Sequence, residues 1–436
     1  VAPNTVIEVR YIGKKTSTFK VAKNRTTYNI TLEDNAVVLD ELVVTTGYQT
    51  IERGRATGSF NIVKPDDLQS IVSNDFVDKL EGVVPGLSID NNGEMMIRGQ
   101  ATIYAETKPL IVVDGFPMEY GTYNINSNDI EQISILKDAA SASIWGVRAA
   151  NGVIVITTKK GTKNQKAKVS YTGNLKIGTR FDVESLGYLN SAQLIDFERE
   201  YFANKQYISS LGNGSPSSYS EAAEIEYKYY TGEIDEATRD AAYQQLGSYD
   251  NRKDIEREFY RNSIFQSHNI VVSGGTQNMS NYLSVNYENT LSDLIGNNQS
   301  RLNFQFNNIT NLSKKIKLTV GFRGNYADKD MYTGAPAEMR PYVHLKDANG
   351  NYVNEYRSVS QMVKDDLSTK GYLDWSYNRL KDRSETDNNT KSYNVTANAQ
   401  LEFELPFGFK FTTSGMYTID HAKQEILYKQ NSYHVR

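Results

Sequence analysis

The chain has 436 residues, of which 39% are hydrophobic and 23% charged, with a formal net charge of -4 and no cysteine. Without cysteine there is no disulfide framework, thiolate zinc site or thiol nucleophile, and a mildly acidic chain offers no electrostatic case for binding nucleic acid. No run of about 18 apolar residues occurs, which excludes a transmembrane helix but not a membrane β-barrel, whose strands are apolar on one face only.

The length predicts two or three domains. The chain opens mid-pattern, in what reads as a strand, as expected of a processed protein or an internal piece of a longer one. Residues 1–35 alternate over Val6, Ile7, Glu8, Val9, Arg10 and Tyr11 and again over Tyr28 to Leu32. Two or three short strands are not stable alone, so this stretch reads as the end of a small β-sandwich domain. Residues 36–59 form an extended, β-branched segment that runs into a polar, Gly- and Arg-containing linker. On spacing alone, two readings of it stay open. It is either the last strand of the preceding domain or a strand offered to the sheet edge of another protein.

Residues 60–165 read as a compact α+β domain. A short helix is expected at 75–80, strands at 87–89 and 95–99, a buried strand at 109–115 and another at 129–136. Asp138 is placed to cap a short Ala/Ser-rich helix through Ile144. Asn151-Gly152 is a turn signal, followed by a strand at 153–158.

From residue 166 to 436 the pattern changes to strict alternation over long strands. Val169, Tyr171, Leu175 and Ile177 alternate with polar residues, as do Leu302, Phe304 and Phe306; Ile316, Leu318, Val320 and Phe322; Tyr393, Val395, Ala397, Ala399, Leu401 and Phe403; and Phe409, Phe411, Tyr417 and Ile419. Strands of about ten residues or more with one apolar face suit a membrane barrel; strands of soluble sheets are commonly about 5–6 residues. Long and short connections also take turns. Residues 182–264 and 329–390 are long loops, while 274–279, 311–315 and 406–408 are tight turns. That parity is the outer-membrane layout, with the long loops outside the cell. About seven strands are expected, against about 22 in large plugged transporters. Because lipid tolerates no open sheet edge, the remaining barrel segment is expected elsewhere in the protein or in another chain.

Four motifs in order carry a resemblance. They are Leu39, Asp40, Glu41, Leu42, Val43, Val44 and Thr45; Met96-Ile97-Arg98-Gly99; the PLIVVDGFP stretch at 109–117; and the block at 129–161. Together they resemble the SusC-like (SusC/RagA) TonB-dependent outer-membrane transporters, and residues 1–35 resemble the end of the carboxypeptidase-regulatory-like domain that precedes them in that family. Trp145 and Ala149-Ala150 stand where a smaller aromatic and Gly-Ala are common. The resemblance implies an α+β plug domain followed by antiparallel transmembrane β-barrel strands, part of a 22-stranded barrel. It implies that 39–45 is a TonB box pulled by TonB with ExbB-ExbD. A SusD-like surface lipoprotein is expected as a lid, with plug and N-terminus toward the periplasm. The function implied is import of oligosaccharides, with peptides by the same mechanism, or ligand sensing, as alternatives. No enzyme activity, cofactor or metal is implied, and outer-membrane lipid is the expected surrounding.

Within that frame, Arg98 and Arg148 are candidate plug locks through partly solvated charge pairs to barrel-wall carboxylates; ordinary plug-surface charge is the other reading. The loops carrying Asp90, Asn91, Asn92 and Glu94, and Met118, Tyr120 and Tyr123, are candidate substrate contacts. Amide, carboxylate and tyrosine groups suit sugar rings and hydroxyls. Asp347-Ala348-Asn349-Gly350-Asn351 resembles the start of a calcium loop, but Tyr352 and Ser358 stand where that loop needs Gly and Glu, so a hairpin turn is expected. His268, His344, His421 and His434 are far apart and form no zinc motif. A soluble glycan-acting β-protein would need paired carboxylates, and Glu402 and Glu404 lack a marked partner.

Overall fold

The structure is a computed structural model that describes residues 6–9, 17–23, 28, 30, 43–52, 59–69, 71, 73, 76–90, 93–97, 99, 107–119, 125–138, 142–203, 220–332, 334, 336–355, 361–372 and 375–435. The chain divides into two compact units.

The first unit holds the described residues of 1–64, 80–120 and 131–157. Strands β1 (Val6–Val9) and β2 (Ser17–Lys20) pair as a hairpin, as do β3 (Val43–Thr45) and β4 (Thr50–Glu52). The centre is a five-stranded sheet. It contains β5 (Phe60–Val63), β8 (Leu110–Val113), β9 (Phe116–Met118), β10 (Ile130–Leu136) and β11 (Val153–Thr158), in the order β5-β10-β11-β8-β9. β11 and β8 run parallel, with Val153 opposite Leu110 and Ile156 opposite Val113. Ile111, Val112, Val113 and Val153 to Ile156 are all at most 3% exposed. These near-continuous apolar runs are what strands covered on both faces require. A separate hairpin pairs β6 (Leu87–Ile89) with β7 (Met95–Ile97). The expected strands are therefore present. Of the helix expected from Asp138 through Ile144, residues 139–141 lie outside the described residues, Ala142 is helical, and a 3-10 stretch, Ser143–Ala149, follows it. The Asp138 carboxylate accepts from the Ser59 backbone N–H, while Ala142 donates to the Asp138 carbonyl at 3.1 Å.

The second unit holds the described residues of 65–79, 121–130 and 158–436. Its body is a seven-stranded antiparallel sheet in strict sequence order. The strands are β12 (Gln165–Gly178), β13 (Ser263–Gly275), β14 (Met279–Leu291), β15 (Asn298–Ser313), β16 (Ile316–Asp330), β17 (Thr386–Glu404) and β18 (Lys410–Tyr428), each 13 to 19 residues long. Register turns the alternation into rows. On one face His268, Tyr287, Leu302, Tyr326, Tyr393 and His421 lie side by side across six strands. The next row carries Ile270, Val285, Phe304, Gly324, Val395 and Ile419. This apolar face continues to Phe403 opposite Phe411. From Tyr393 to Phe403 the strand makes ten residue steps of ~3.4 Å each, which at a tilt of about 40° span ~26 Å, close to the apolar band of outer-membrane barrels.

The opposite face is polar and equally ordered. Asn269, Asn286, Asn303, Asn325 and Asn394 fall in one row across five strands, and each is at most 7% exposed. Asn325 donates to Asn303 at 2.6 Å. Amides suit this face because each carries both donor and acceptor.

The long connections fold rather than dangle. Between β12 and β13 lie helices Ser191–Phe202, Glu221–Tyr230, Glu236–Gly247 and Arg252–Phe259. The first opens on a capping box at Asn190 and the next two on Ser220 and Asp235 caps, which satisfies orphan N–H groups at each start. Their apolar faces share one core with Tyr342, Val343 and Leu345 of the other long connection. The Asn251 amide fastens the two connections, donating to the carbonyls of Arg340 and Val343 at 2.8 Å each. Asp347 heads a tight turn, accepting from the Asn349 and Asn351 N–H groups at 2.8 Å, the hairpin expected there.

Candidate functional site

Two constellations stand out, one in each unit. In the first, the chain that follows the 39–45 motif is clasped onto the apolar sheet. Val44 is 2% exposed and belongs to the core with Val112, Leu136, Val153 and Val155. The Thr45 N–H donates to Ser134 Oγ at 3.4 Å. Trp145 Nε1 donates to the Thr46 carbonyl at 2.8 Å, and the indole stacks on Tyr48 with centroids 4.6 Å apart. Gly47 makes the approach possible. Its φ is +97°, and a Cβ there would sit 2.6 Å from the indole and 3.2 Å from Val112. Gly115 is required for a similar reason, since a Cβ on it would meet the Gly47 carbonyl at 2.9 Å. Burying Val44 contributes about 1.5–3 kcal/mol, the indole hydrogen bond about 1 kcal/mol and the ring pair about 0.5–1.5 kcal/mol.

In the second unit, short segments before the barrel are tied to the polar face of the sheet. The Asp129 carboxyl is 2% exposed. It accepts from Tyr282 Oη at 2.8 Å and from Asn126 Nδ2 at 3.2 Å. Burial pushes the Asp129 pKa up, against the pull of those hydrogen bonds and of Lys159. Asn126 also donates to Asn269 at 3.0 Å. Nearby, Lys79 Nζ donates to Ser127 Oγ at 2.7 Å. Burial lowers its pKa and the neighbouring Glu288 carboxylate opposes that shift. Lys79, Ser127, Asn174, Ser267 and Glu288 line a cavity of about 130 Å³. Asn307 closes the set, donating to Thr158 Oγ1 at 3.1 Å and to the Lys159 carbonyl at 2.8 Å.

The residues singled out from sequence fall as follows. Val43, Val44 and Thr45 form β3; Leu39, Asp40, Glu41 and Leu42 lie outside the described residues, as do Asn91, Asn92, Arg98, Tyr120 and Tyr123. Asp90 and Glu94 shape their own turn. The Asp90 carboxylate accepts from the Glu94 N–H at 2.8 Å, and Glu94 pairs with Lys108 at 2.8 Å. Met118, expected on a ligand-facing loop, is instead 7% exposed within β9 opposite Ile111, because the apolar side chain pairs inward as the strand alternates. Arg148 is exposed and makes no ion pair among the described residues. The ties described in the second unit are built largely from hydrogen bonds. Asp129, at the head of the most recognisable sequence block, was the signal available for them. No group of three or more metal-ligating residues occurs among the described residues.

Comparison with known proteins agrees with this architecture. The family model for the TonB-dependent Receptor Plug Domain matches residues 53–153. TonB-dependent receptor SusC of Bacteroides thetaiotaomicron is 37% identical over 198 residues, covering 41% of this chain and 19% of that protein. TonB-dependent receptor P39 of Formosa agariphila is 29% identical over 362 residues, covering 80% of this chain and 31% of that protein. The matched region thus spans less than a third of the length of these curated relatives. In fold, the chain is similar to the RagAB peptide importer in its closed-closed state, with a TM-score of 0.65 and 20% identity over 87% of this chain and 42% of that one. Residues 53–153 thus match the TonB-dependent receptor plug domain, and the chain resembles SusC-like TonB-dependent transporters in sequence and in fold. It carries a plug followed by antiparallel barrel strands.

Proposed function

We propose that the protein imports oligosaccharides across the outer membrane, with residues 39–45 as the handle that TonB, energised through ExbB-ExbD, pulls from the periplasm. The observation that carries this reading is the clasp at Trp145. The handle-like segment does not end in a free linker. It runs through Val44 and Thr46 directly into the core of the plug sheet. Tension on an added strand at 39–45, held by main-chain hydrogen bonds, then reaches the plug within a few residues.

The division of labour follows. The clasp keeps the segment docked at rest. The hydrogen-bonded ties at Asp129, Asn126 and Asn307 hold the other plug segments to the wall. Each tie is a neutral or singly charged hydrogen bond of about 1–3 kcal/mol, strong enough to seat a plug and weak enough to release under load. The long-loop side faces outward under a SusD-like lipoprotein lid, and the plug and N-terminus face the periplasm. Peptides are the alternative cargo.

The test is uptake by whole cells of fluorescent neutral oligosaccharides and of fluorescent oligopeptides, with and without TonB and with residues 39–45 deleted. The reading expects saccharide uptake that needs both TonB and the segment. Uptake indifferent to either removes the energised-import reading; uptake of peptides alone replaces the cargo.

A further inference from the structure

A second cavity, of about 370 Å³, opens at the end of the sheet that carries the long loops. Its floor is the polar face of the last two strands, Thr386 and Asn388 on β17 and Ile426 and Tyr428 on β18. Its walls come from three separate stretches of chain: Tyr332 after β16, Tyr377 and Asp382 from the following connection, and Tyr433 and His434 after β18. The aromatic groups are already set in fixed pairs. His434 stacks on Tyr428 with centroids 4.1 Å apart at 24°. Tyr433 meets Tyr377 edge to face at 5.1 Å and 71°.

The polar groups are incompletely used. Tyr332 Oη and Thr386 Oγ1 are out of solvent contact and have no hydrogen-bond partner among the described residues. Asp382 accepts from the Tyr433 N–H through Oδ1 at 3.3 Å. Asn388 accepts from Gln424 Nε2 at 2.9 Å. Unsatisfied buried hydroxyls are disfavoured by about 1–3 kcal/mol each, so native sites that keep them commonly have a reason.

The chemistry of this lining selects among ligands. Among the described residues, no lysine or arginine lines the cavity and one carboxylate does, which disfavours phosphorylated, sulfated or uronic ligands. A purely apolar guest leaves the Tyr332 and Thr386 hydroxyls unpaired. A pyranose or furanose ring presents C–H groups on its faces and hydroxyls around its rim. It therefore meets ring faces and side-chain oxygens and amides together, the amphipathic combination tyrosine offers. The volume is at the small end of the ~300–1,000 Å³ typical of ligand sites, suited to a short stretch of a longer chain.

We infer that this cavity is a sugar-ring subsite for a neutral glycan. The inference rests on the import reading above and narrows its cargo to uncharged oligosaccharides, gripped at the loop end of the barrel wall through Tyr428, His434, Tyr433 and Asp382.

The experiment is calorimetric titration of the full-length protein, purified in mild detergent, with maltohexaose, cellohexaose, xylohexaose and mannohexaose, and with a pool of neutral hexapeptides. The variants are His434→Ala, Tyr433→Ala and Asp382→Asn, each first shown to keep the heat-modifiable electrophoretic shift of a folded barrel. At least one hexasaccharide is expected to bind. His434→Ala or Tyr433→Ala is expected to weaken it by roughly tenfold, the size of one aromatic contact, and Asp382→Asn by a smaller factor. Binding that the variants leave unchanged overturns the subsite. So does binding of none of the four sugars, and so does loss of peptide rather than sugar affinity. TonB-dependent uptake of the same sugars, measured in parallel, separates the two claims. Uptake with unchanged variant affinities leaves import standing without this site, whereas variant-sensitive binding with no uptake leaves the site standing without import.

Discussion

The indole N–H of Trp145 reaches the Thr46 carbonyl at 2.8 Å, across 99 residues of sequence. That contact places an aromatic latch directly behind the segment that resembles a TonB box, and the latch is specific in its parts. Trp145→Phe keeps a ring against Tyr48 but loses the hydrogen bond; Trp145→Ala loses both. Amide hydrogen exchange over residues 43–48 of the full-length protein is expected to speed up by roughly fivefold in the Phe variant, the equivalent of about 1 kcal/mol, and by more in the Ala variant. Unchanged protection in both variants means that the segment is held by other contacts.

Gly47 gives an independent check on the same latch. Gly47→Ala forces a side chain into left-handed backbone and into the indole, with an expected cost of about 1–3 kcal/mol. Gly93→Ala shares the positive φ, at +78°, but meets open space. Exchange over 43–48 is expected to rise for Gly47→Ala and not for Gly93→Ala. Equal effects from the two variants point to general backbone strain rather than a latch.

The tie at Asp129 predicts an asymmetry. Tyr282→Phe leaves a buried carboxyl short of a donor, at a cost of about 1–3 kcal/mol. Ser143→Ala, on the exposed 3-10 stretch, serves as an exposed-site control. Protease sensitivity near residues 125–130, followed by mass spectrometry, is expected to increase for Tyr282→Phe and to stay at the parent level for the control. A parent-level result for both contradicts an anchoring role for Asp129.

The helical core between β12 and β13 carries a pH signature. Glu221 is pushed up to about 7 by burial, with Glu224 and Glu198 adding repulsion and Arg340 opposing. Glu198 is raised by burial against its hydrogen bond from Tyr342. Between the ordinary carboxyl range and about pH 7 the folded state holds protons that the unfolded chain releases. Stability of this region is therefore greatest at the acid end of that window, falls as pH rises through about 7, and levels off above it. Helical circular dichroism melts at pH 5.5 and pH 8 are expected to show the higher midpoint at pH 5.5. Glu221→Gln is expected to narrow the gap by raising the pH 8 midpoint. A gap that Glu221→Gln leaves unchanged assigns the effect to other groups.

Much of this architecture was legible in the sequence because its signals are local. The alternation over residues 393–403 or 316–322 defines a strand and its two faces without reference to any neighbour, and the parity of loop lengths orders the turns. What was illegible depends on register and on long-range contact. Asn303 and Asn394 each read as a polar alternate. Only pairing across β15, β16 and β17 places them in one row with Asn325. Trp145 was visible as an unusual residue, yet nothing near it in sequence pointed to Thr46. Met118 was placed on a ligand-facing loop by resemblance to similar plugs, whereas Phe116–Met118 forms a short strand that turns its methionine inward. The long connections were expected as loops, and their helical core was not. Its packing joins Ile195 and Phe259 to Tyr342 across two loops, which no local pattern encodes.

The central claim is that residues 39–45 form a handle that TonB engages and that leads into a latched plug. These 436 residues contain no cysteine, and any cysteine elsewhere in the full-length protein is first replaced by serine. Glu41→Cys is introduced into the full-length protein in cells that carry a single-cysteine TonB, and disulfide cross-linking is measured with and without a transported oligosaccharide, in the parent and in Trp145→Ala. The account predicts cross-linking that rises with oligosaccharide in the parent and is already high without it in Trp145→Ala. Cross-linking that is absent in both, or that ignores both ligand and Trp145, contradicts it.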